Sequence, residues 1–195
     1  MSRRVSLLPT GVANTRSVIE AFASLGATCD LVTSAEDVYA ADFLVLPGVG
    51  SFGSGAVAVQ ALSQPLINRL EAGLPTLGIC LGYQLLFESS SESPGANGLA
   101  FIPGTLLRFN GDLRVPQMGW NRVEAQGCRV LESGYAYFAN SFAAETMPDD
   151  WSIARATYGA PFIAGIERGN IVGCQFHPEL SGDFGLGVLE RWLSC

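Results

Sequence analysis

The feature that most constrains the fold of this chain is the alternation of short apolar runs with helical stretches through its first half. Apolar runs of strand length predict buried strands at 5–8, 29–32, 43–46 and 76–79. Helical periodicity appears between them, at 14–25 and 56–72, and a further helix is expected to begin within 83–87. Strands that alternate with helices are typical of a parallel sheet covered on both faces. We therefore expect an α/β fold, a three-layer sandwich with a mostly parallel central sheet.

Local signals set the ends of the predicted helices. Asn14 can cap the first helix, whose apolar side chains include Val18 and Phe22 on one face. Gly26 is the expected C-terminal stop of that helix, because glycine readily adopts the left-handed conformation found there. Pro65 is expected to interrupt the second helical stretch.

The second half of the sequence has a different pattern. A polar segment rich in Ser, Gly and Pro at 89–98 predicts a loop. Short strand-like segments follow at 104–109, 121–125, 135–139, 153–158, 162–167 and 171–176. Gly169 and Asn170 form a plausible hairpin turn between the last two, and a final helix is predicted over 184–193. We expect additional antiparallel strands here, within a single domain that spans residues 1–195.

Composition excludes several classes of function. The chain of 195 residues has a formal charge of −7 and only 11 scattered basic residues, which argues against a nucleic-acid-binding surface. No apolar run approaches the roughly 20 residues that cross a bilayer, and residues 1–8 lack the apolar stretch of a secretory signal. The 5 cysteines are widely spaced, so neither a zinc site nor a disulfide framework is indicated. We expect a cytoplasmic protein.

The sharpest local signal is the segment G-I-C-L-G at 78–82, which follows a predicted strand and precedes a predicted helix. This is the context of a nucleophile elbow, a tight turn that needs small residues two positions before and after the nucleophile. A helix that begins just after Cys80 would favour its thiolate, and the amide of Leu81 would lie where an oxyanion develops. The alternative is a glycine-rich turn that contains a buried structural cysteine.

The second signal is H-P-E at 177–179, which contains the only histidine of the chain. A cysteine nucleophile needs a base that takes its proton and later protonates the leaving amine. Glu179 could accept a hydrogen bond from the His177 imidazole and fix its tautomer, which completes a triad with Cys80. A lone histidine is often structural, but together with the elbow it favours catalysis. The sequence therefore predicts a cysteine-dependent amidase.

A third signal is P-G-V-G at 47–50, which follows the predicted strand 43–46. Ligands of such sheets bind beyond the C-terminal ends of the strands, and two glycines allow backbone amides to turn toward a developing negative charge. A simple β-turn is the alternative. A phosphate-binding loop is disfavoured, because the segment lacks both a Walker lysine and the G-x-G-x-x-G spacing.

Several motifs resemble those of known families. They are G-I-C-L-G-Y-Q-L-L-F at 78–87, Q-F-H-P-E at 175–179, P-G-V-G-S-F at 47–52, V-P-Q-M-G-W-N at 115–121, Y-F at 137–138 and N-S at 140–141. The first two resemble the class I glutamine amidotransferases, which use a catalytic triad. The others resemble, within that class, the glutaminase subunits of imidazole glycerol phosphate synthase, an enzyme of histidine biosynthesis. The resemblance extends over nearly the whole chain, in order and at suitable spacings.

This resemblance implies a reaction and a partner. Cys80 would attack the side-chain amide of glutamine, His177 would protonate the leaving ammonia, and water would hydrolyse the glutamyl thioester. Ammonia would pass directly into a (β/α)8-barrel cyclase subunit, which would use it to make imidazole glycerol phosphate. No metal or organic cofactor is implied.

The resemblance also implies roles for further residues. The oxyanion hole would be formed by the amides of Val49, Gly50 and Leu81. The amino and carboxylate groups of glutamine would be held by Gln84, Glu92, Ser141 and Phe142. The partner interface would include Asn14, Gln117, Trp120, Tyr137 and Leu180. For Trp120 and Tyr137, core packing is the alternative.

The chain departs from the family pattern away from the triad. Gln117 and Asn140 stand where the family usually has histidine, Leu180 stands where it usually has lysine, and L-P-T at 8–10 replaces D-Y-G. We therefore expect intact glutaminase chemistry with a diverged partner interface.

Other functions stay open from sequence alone. Amidotransferases for anthranilate, aminodeoxychorismate or guanylate synthesis typically carry histidine where Tyr83 stands. A paralogue that feeds ammonia to a surface-sugar pathway would share the motifs. A non-catalytic subunit on the same scaffold would have little reason to keep the three triad residues, and a cysteine peptidase would need an open cleft.

Overall fold

The computed structural model describes residues 3–10 and 15–195. The helices are α1 (Thr15–Ser24), α2 (Ala35–Ala40), α3 (Phe52–Val59), α4 (Ser63–Glu71), α5 (Leu81–Gln84) and α6 (Gly182–Trp192). The strands are β1 (Arg4–Leu7), β2 (Thr28–Leu31), β3 (Phe43–Leu46), β4 (Thr76–Ile79), β5 (Phe87–Ser90), β6 (Ile102–Arg108), β7 (Gln117–Gln126), β8 (Gly134–Asn140), β9 (Phe142–Ala143), β10 (Ser152–Tyr158), β11 (Ala160–Arg168) and β12 (Ile171–Cys174).

A nine-stranded mixed sheet runs through the molecule in the order β2-β1-β3-β4-β12-β11-β10-β7-β8. The pairs from β2 to β12 are parallel, and those from β12 to β8 are antiparallel. A smaller three-stranded sheet has the order β5-β6-β9. These observations confirm the predicted α/β class. In the large sheet, strands of the first half pair in parallel, those of the second half pair antiparallel, and β12 joins the two parts because it pairs in parallel with β4.

Helices cover both faces of the large sheet. Along β3, Val45 belongs to one cluster of buried apolar side chains, whereas Leu44 and Leu46 belong to another. Since successive side chains of a strand point to opposite faces, the two clusters lie on opposite sides of the sheet. Helices α1 and α6 contribute to the first cluster, and α2, α3 and α4 contribute to the second. The predicted three-layer arrangement is confirmed.

The predicted helix ends are partly correct. Helix α1 ends at Ser24, and Gly26 follows with a φ of +76°, as expected for its stop. Asn14, the predicted cap, lies outside the described residues. The second helical stretch is interrupted at 60–62 by a 3-10 turn and not at Pro65, which lies in the first turn of α4, where a missing N–H costs little.

Several elements differ from the sequence-based predictions, among them the short strand β9, which was not predicted. Helix α2 was not predicted, although Ser34 and Asp37 form a capping box at its start. Strand β5 occupies 87–90, where a continuing helix and then a loop were expected. Strand β2 was expected to be buried, but it is the edge strand and is partly exposed. None of the helices within 3–10 and 15–195 is long and apolar enough to cross a membrane.

Candidate active site

The turn between β4 and α5 has the geometry of a nucleophile elbow. Cys80 has a φ of +49° and a ψ of −103°, a strained conformation for a residue with a side chain. A Cβ atom at Gly78 would lie 2.8 Å from the backbone of Tyr83, and one at Gly82 would overlap the carbonyl oxygen of Leu46. Both glycines are therefore required by close backbone approach, as the sequence predicted.

The neighbouring strands bring the triad together. Strand β12 pairs in parallel with β4, and Cys174 stands opposite Ile79. Cys80 donates its N–H to the Cys174 carbonyl over 2.7 Å, so the chain segments that follow the two strands begin side by side. His177 then donates its N–H to the carbonyl of Tyr137 in β8, over 2.9 Å. This backbone bond fixes where the imidazole lies at the C-terminal edge of the sheet.

His177 lies between Cys80 and Glu179. His177 Nδ1 lies 2.8 Å from Glu179 Oε1, which leaves the other ring nitrogen for the thiol of Cys80. Burial disfavours the charged imidazole, but the hydrogen bonds and negative charges of Cys80 and Glu179 outweigh it and raise the pKa of His177 to about 10. The histidine is thus able to hold the proton that Cys80 loses, and to deliver it to a leaving group.

A cavity of about 300 Å³ opens beside the thiol. Every residue assigned by resemblance to the oxyanion hole or to substrate binding lines it, together with two of the triad: Val49, Gly50, Cys80, Leu81, Gln84, Glu92, Ser141, Phe142 and His177. The remaining lining residues are Pro116, Ala139 and Asn140. Its size and the polar side chains in its lining, among them Gln84, Glu92 and Ser141, suit a small polar amide.

The oxyanion hole is not assembled in this structure. The Leu81 N–H donates to the carbonyl oxygen of Gly48 over 3.3 Å, so this amide is already occupied. In a trans peptide the N–H points opposite to the carbonyl. The Val49 N–H therefore points away from Leu81 when the Gly48 carbonyl points toward it. The Thr10 hydroxyl, which donates to the carbonyl of Pro47 over 2.8 Å, anchors this loop.

Two predicted substrate-binding side chains have partners within the chain. Gln84 Nε2 donates to the Phe142 carbonyl over 3.3 Å and to Gln175 Oε1 over 3.0 Å. Both hydrogens of this amide are therefore in use, and only Gln84 Oε1, an acceptor, is left for a ligand. Glu92 Oε2 accepts from the N–H of Phe52 over 2.6 Å at the start of α3.

Gln175 was not singled out from sequence. Its fully buried side chain donates from Nε2 to Cys80 Sγ over 3.7 Å. Its place follows from the observed parallel pairing of β12 with β4, which puts the residue after Cys174 beside the nucleophile. This pairing was not predicted from the sequence, because antiparallel strands were expected in the second half of the chain.

Gln117 and Asn140 lie opposite each other in the β7–β8 pair, and the side chain of each is only 3% exposed. Asn140 Nδ2 donates to the Phe142 carbonyl, whereas Gln117 Oε1 and Asn140 Oδ1 are buried and find no donor within 3–10 and 15–195. The prediction that Gln117 lies on the partner surface is therefore wrong for its side chain. It points inward because it alternates with Met118, which is exposed.

The other predicted interface residues are accessible where they are described. Trp120 is 60% exposed and packs edge-on against Tyr137, with ring centroids 6.3 Å apart, so the core-packing alternative is wrong for Trp120. Leu180 is also exposed. Asn14 lies outside the described residues. In the described part of the chain, no group of three or more His, Cys, Asp or Glu side chains could hold a metal ion.

Comparison with known proteins agrees with this geometry. The family model of class-I glutamine amidotransferases matches residues 7–192. The imidazole glycerol phosphate synthase subunit HisH of Methanothermobacter thermautotrophicus is 41% identical over 193 residues, which cover 97% of this chain and 97% of that protein.

Two further similarities differ in kind. The chloroplastic imidazole glycerol phosphate synthase hisHF of Arabidopsis thaliana is 39% identical over 199 residues, covering 97% of this chain but 34% of that protein. The solved structure of PurLQS from Thermotoga maritima superimposes with a TM-score of 0.79 at 22% identity, over 100% of this chain and 99% of that one. The last similarity shows the fold alone.

Proposed function

The chain belongs to the class-I glutamine amidotransferase family, and we propose that it hydrolyses glutamine with the triad Cys80, His177 and Glu179. The observation that carries this proposal is that Cys80 and His177 line one cavity of about 300 Å³, while the His177 ring is bonded to Glu179 over 2.8 Å. Whole-chain similarity to HisH subunits assigns the activity to imidazole glycerol phosphate synthase, in histidine biosynthesis.

The proposed reaction begins when the Cys80 thiol gives its proton to His177 and the sulfur attacks the side-chain amide carbon of glutamine. The carbonyl oxygen becomes an oxyanion. Collapse of this intermediate breaks the C–N bond, and His177 donates its proton to the leaving nitrogen, which departs as ammonia. Water, deprotonated by His177, then hydrolyses the thioester to glutamate. Glu179 holds the imidazole in the tautomer that both steps need.

Stabilisation of the oxyanion requires a change in the loop that follows β3. We assign Val49, Gly50 and Leu81 to the oxyanion hole, and the bond between the Leu81 N–H and the Gly48 carbonyl must then break. Rotation of the peptide between Gly48 and Val49 would remove the carbonyl and present the Val49 N–H to the cavity. The structure thus corresponds to a resting state with an assembled nucleophile.

The α-amino-acid portion of glutamine would meet the part of the cavity wall that Gln84, Glu92, Ser141 and Phe142 form. The Glu92 carboxylate and the free Gln84 Oε1 are acceptors, which suits the α-ammonium group of glutamine. Ser141 and Phe142 line the same wall and would contact the rest of its α-amino-acid portion.

The proposal includes a (β/α)8-barrel cyclase as partner, which receives the ammonia. The Arabidopsis relative supports such a pairing, because its name joins both subunits and this chain matches 34% of its length. The exposed Trp120 packs against the half-buried Tyr137, and aromatic residues of this type often dominate binding energies. Leu180 is exposed beside the triad. We assign these residues, with Asn14, to the interface.

We further propose that residues 1–195 form one glutamine amidotransferase domain that works in the cytoplasm. The central sheet takes strands from both halves of the chain, which supports a single domain. All five cysteines are free thiols, and this is typical of proteins in a reducing compartment.

The test is glutamate release from glutamine, measured with and without the cyclase and its ribonucleotide substrate. Strong stimulation by the complete mixture, and its loss in Cys80→Ala, is the expected result. Cys128→Ala is the matched control, since Cys128 is not among the residues that line the cavity. Release that depends on Cys80 but ignores this cyclase would indicate another partner pathway, and no release under any condition would refute the glutaminase.

A further inference from the structure

We propose that Gln175 is a second hydrogen-bond donor to the Cys80 sulfur, and that Gln84 and the Phe142 carbonyl fix the orientation of its amide. The proposal deepens the glutaminase proposal and rests on Cys80 as nucleophile. It assigns a role to a fully buried side chain that the Cys-His-Glu mechanism does not use.

The orientation of the two amides follows from one backbone group. The Phe142 carbonyl can only accept, so the group 3.3 Å from it must be the NH2 of Gln84. That NH2 also faces Gln175 over 3.0 Å, and the Gln175 atom at this contact must then be its oxygen. The Gln175 NH2 is thereby directed at Cys80 Sγ, 3.7 Å away. Exchanging oxygen and nitrogen in either amide would bring like groups together.

A donor at this place serves the nucleophile. A thiolate accepts hydrogen bonds, and donors to the charged form favour it over the neutral thiol. His177 supplies one donor, but it must give up its proton when ammonia leaves. Gln175 keeps its hydrogens throughout the reaction, so it continues to hold the sulfur in place while the His177 proton is transferred. The amide of Gln175 has no access to solvent, which strengthens the interaction.

The same series connects the substrate wall of the cavity with the nucleophile. Phe142 lines the cavity, and its carbonyl is the acceptor from which the orientation of both glutamines follows. Asn140 Nδ2 donates to this carbonyl as well, over 3.1 Å, so its position is held from two sides. Gln84 is the positioning residue between the wall and Gln175.

Other titratable groups around Cys80 come from several elements. His177 hydrogen-bonds to it, Glu179 lies behind His177, and Glu92 lines the same cavity. Cys174, whose carbonyl accepts from the Cys80 N–H, is fully buried, and burial raises the pKa of its thiol. A change at position 175 alters none of these groups directly, so a shift in the titration of Cys80 would report the loss of the donor.

The test follows the pH dependence of Cys80 alkylation by iodoacetamide, read as the mass of the peptide that contains Cys80. Gln175→Met keeps a similar volume without a donor, and Gln175→Glu places a carboxylate against the sulfur. We expect the midpoint to move up by about one pH unit in Gln175→Met and further in Gln175→Glu. With glutamine as substrate, kcat should fall about tenfold in Gln175→Met while KM changes little.

Gln126→Leu is the control, because Gln126 is exposed on β7 and should leave both the midpoint and kcat unchanged. Thermal unfolding verifies that the variants are folded. If Gln175→Met does not fold, the alkylation midpoint of Gln175→Glu tests the role of Gln175 instead. Unchanged alkylation midpoints in the folded variants would overturn the role of Gln175. Alkylation of Cys80 does not require that the protein hydrolyse glutamine. The role of Gln175 can therefore be tested even if the glutaminase proposal fails.

Discussion

The two sides of the catalytic cavity differ in how far they are prepared for reaction. On the nucleophile side, Cys80 sits on a strained elbow and is joined through His177 to Glu179 over 2.8 Å. On the oxyanion side, the Leu81 N–H is bonded to the Gly48 carbonyl, and the amide that should stabilise a negative charge is occupied. One side is assembled by the sheet itself, and the other depends on a loop.

This difference indicates that glutamine hydrolysis can be regulated through the loop. The nucleophile is held by paired strands and by two glycine positions at which a side chain would clash with the backbone. The position of Cys80 can therefore change little unless the protein unfolds. The loop from Pro47 to Gly50 is held by single hydrogen bonds, each worth about 1 kcal/mol. Rotation of one peptide costs far less than rebuilding a triad. A partner that stabilises the rotated loop would therefore switch the reaction on without touching the thiol.

The first prediction concerns the nucleophile side and has the largest expected change in rate. Glu179→Gln removes the charge that stabilises the protonated imidazole and allows the wrong tautomer. We expect kcat to fall by about 10⁴-fold, as is typical when the carboxylate of a triad becomes an amide, and the pH midpoint of Cys80 alkylation to rise. Glu124→Gln, an exposed carboxylate on β7, is the control. A variant with more than a tenth of the native kcat would show that the carboxylate is dispensable.

The second prediction concerns the rigidity of the elbow. A Cβ at Gly82 would overlap the Leu46 carbonyl, so Gly82→Ala should lower the free energy of unfolding by about 3 kcal/mol, as expected of overpacking in a core. Gly187→Ala in α6 meets only the flexible end of Arg191 and should be neutral or stabilising. Urea unfolding measures both. Equal stability of the two variants would mean that the elbow can relax.

The third prediction is a pH dependence of stability. The pKa of His177 is raised to about 10 in the folded chain, so above about pH 6.5 this side chain keeps a proton in the folded state that it loses in the unfolded state. The contribution of His177 to the free energy of unfolding is complete below that pH. It is lost as pH rises toward 10, by at most about 1.4 kcal/mol per pH unit. His177→Asn should flatten this slope in urea unfolding. Slopes that stay equal would contradict the coupling to Cys80 and Glu179.

The fourth prediction concerns the oxyanion side and has the smallest expected change in rate. Thr10→Val removes the hydroxyl that donates to the Pro47 carbonyl, next to the peptide that has to rotate. A loosened resting loop should raise glutamate release by the isolated chain about fivefold, the equivalent of one hydrogen bond. Alkylation of Cys80 should not change. Thr105→Val, an exposed position on β6, is the control. Lower release in a folded Thr10→Val protein would mean that the bond supports the active loop instead.

The nucleophile side of the cavity could be predicted from the sequence better than the oxyanion side. The elbow glycines and the order of strands carry local signals, because close approach demands small residues and apolar runs mark strands. The orientation of the Gly48 peptide depends on its contact with Leu81, more than 30 residues later, which no local pattern encodes. Gln175 was overlooked for a similar reason, since its role arises from contacts with Gln84 and Cys80 on other elements.

The elements that were missed have local causes as well. Helix α2 has six residues, too few for helical periodicity to stand out, although its capping box was present in the sequence. Strand β5 follows α5 after only two residues, and its apolar start looks like a continuation of the helix. Gln117 points inward because β7 begins earlier than predicted, and the alternation of the strand then sets its face.

The most direct test of the difference between the two sides compares two rates in one preparation, with and without the cyclase and its ribonucleotide ligand. One is alkylation of Cys80 by iodoacetamide, which needs only the nucleophile, and the other is glutamate release, which also needs the oxyanion hole. We expect partner and ligand to raise glutamate release by about 10²-fold or more, while the alkylation rate stays nearly constant. Alkylation that rises in parallel with glutamate release would contradict this expectation, because the partner would then be assembling the nucleophile.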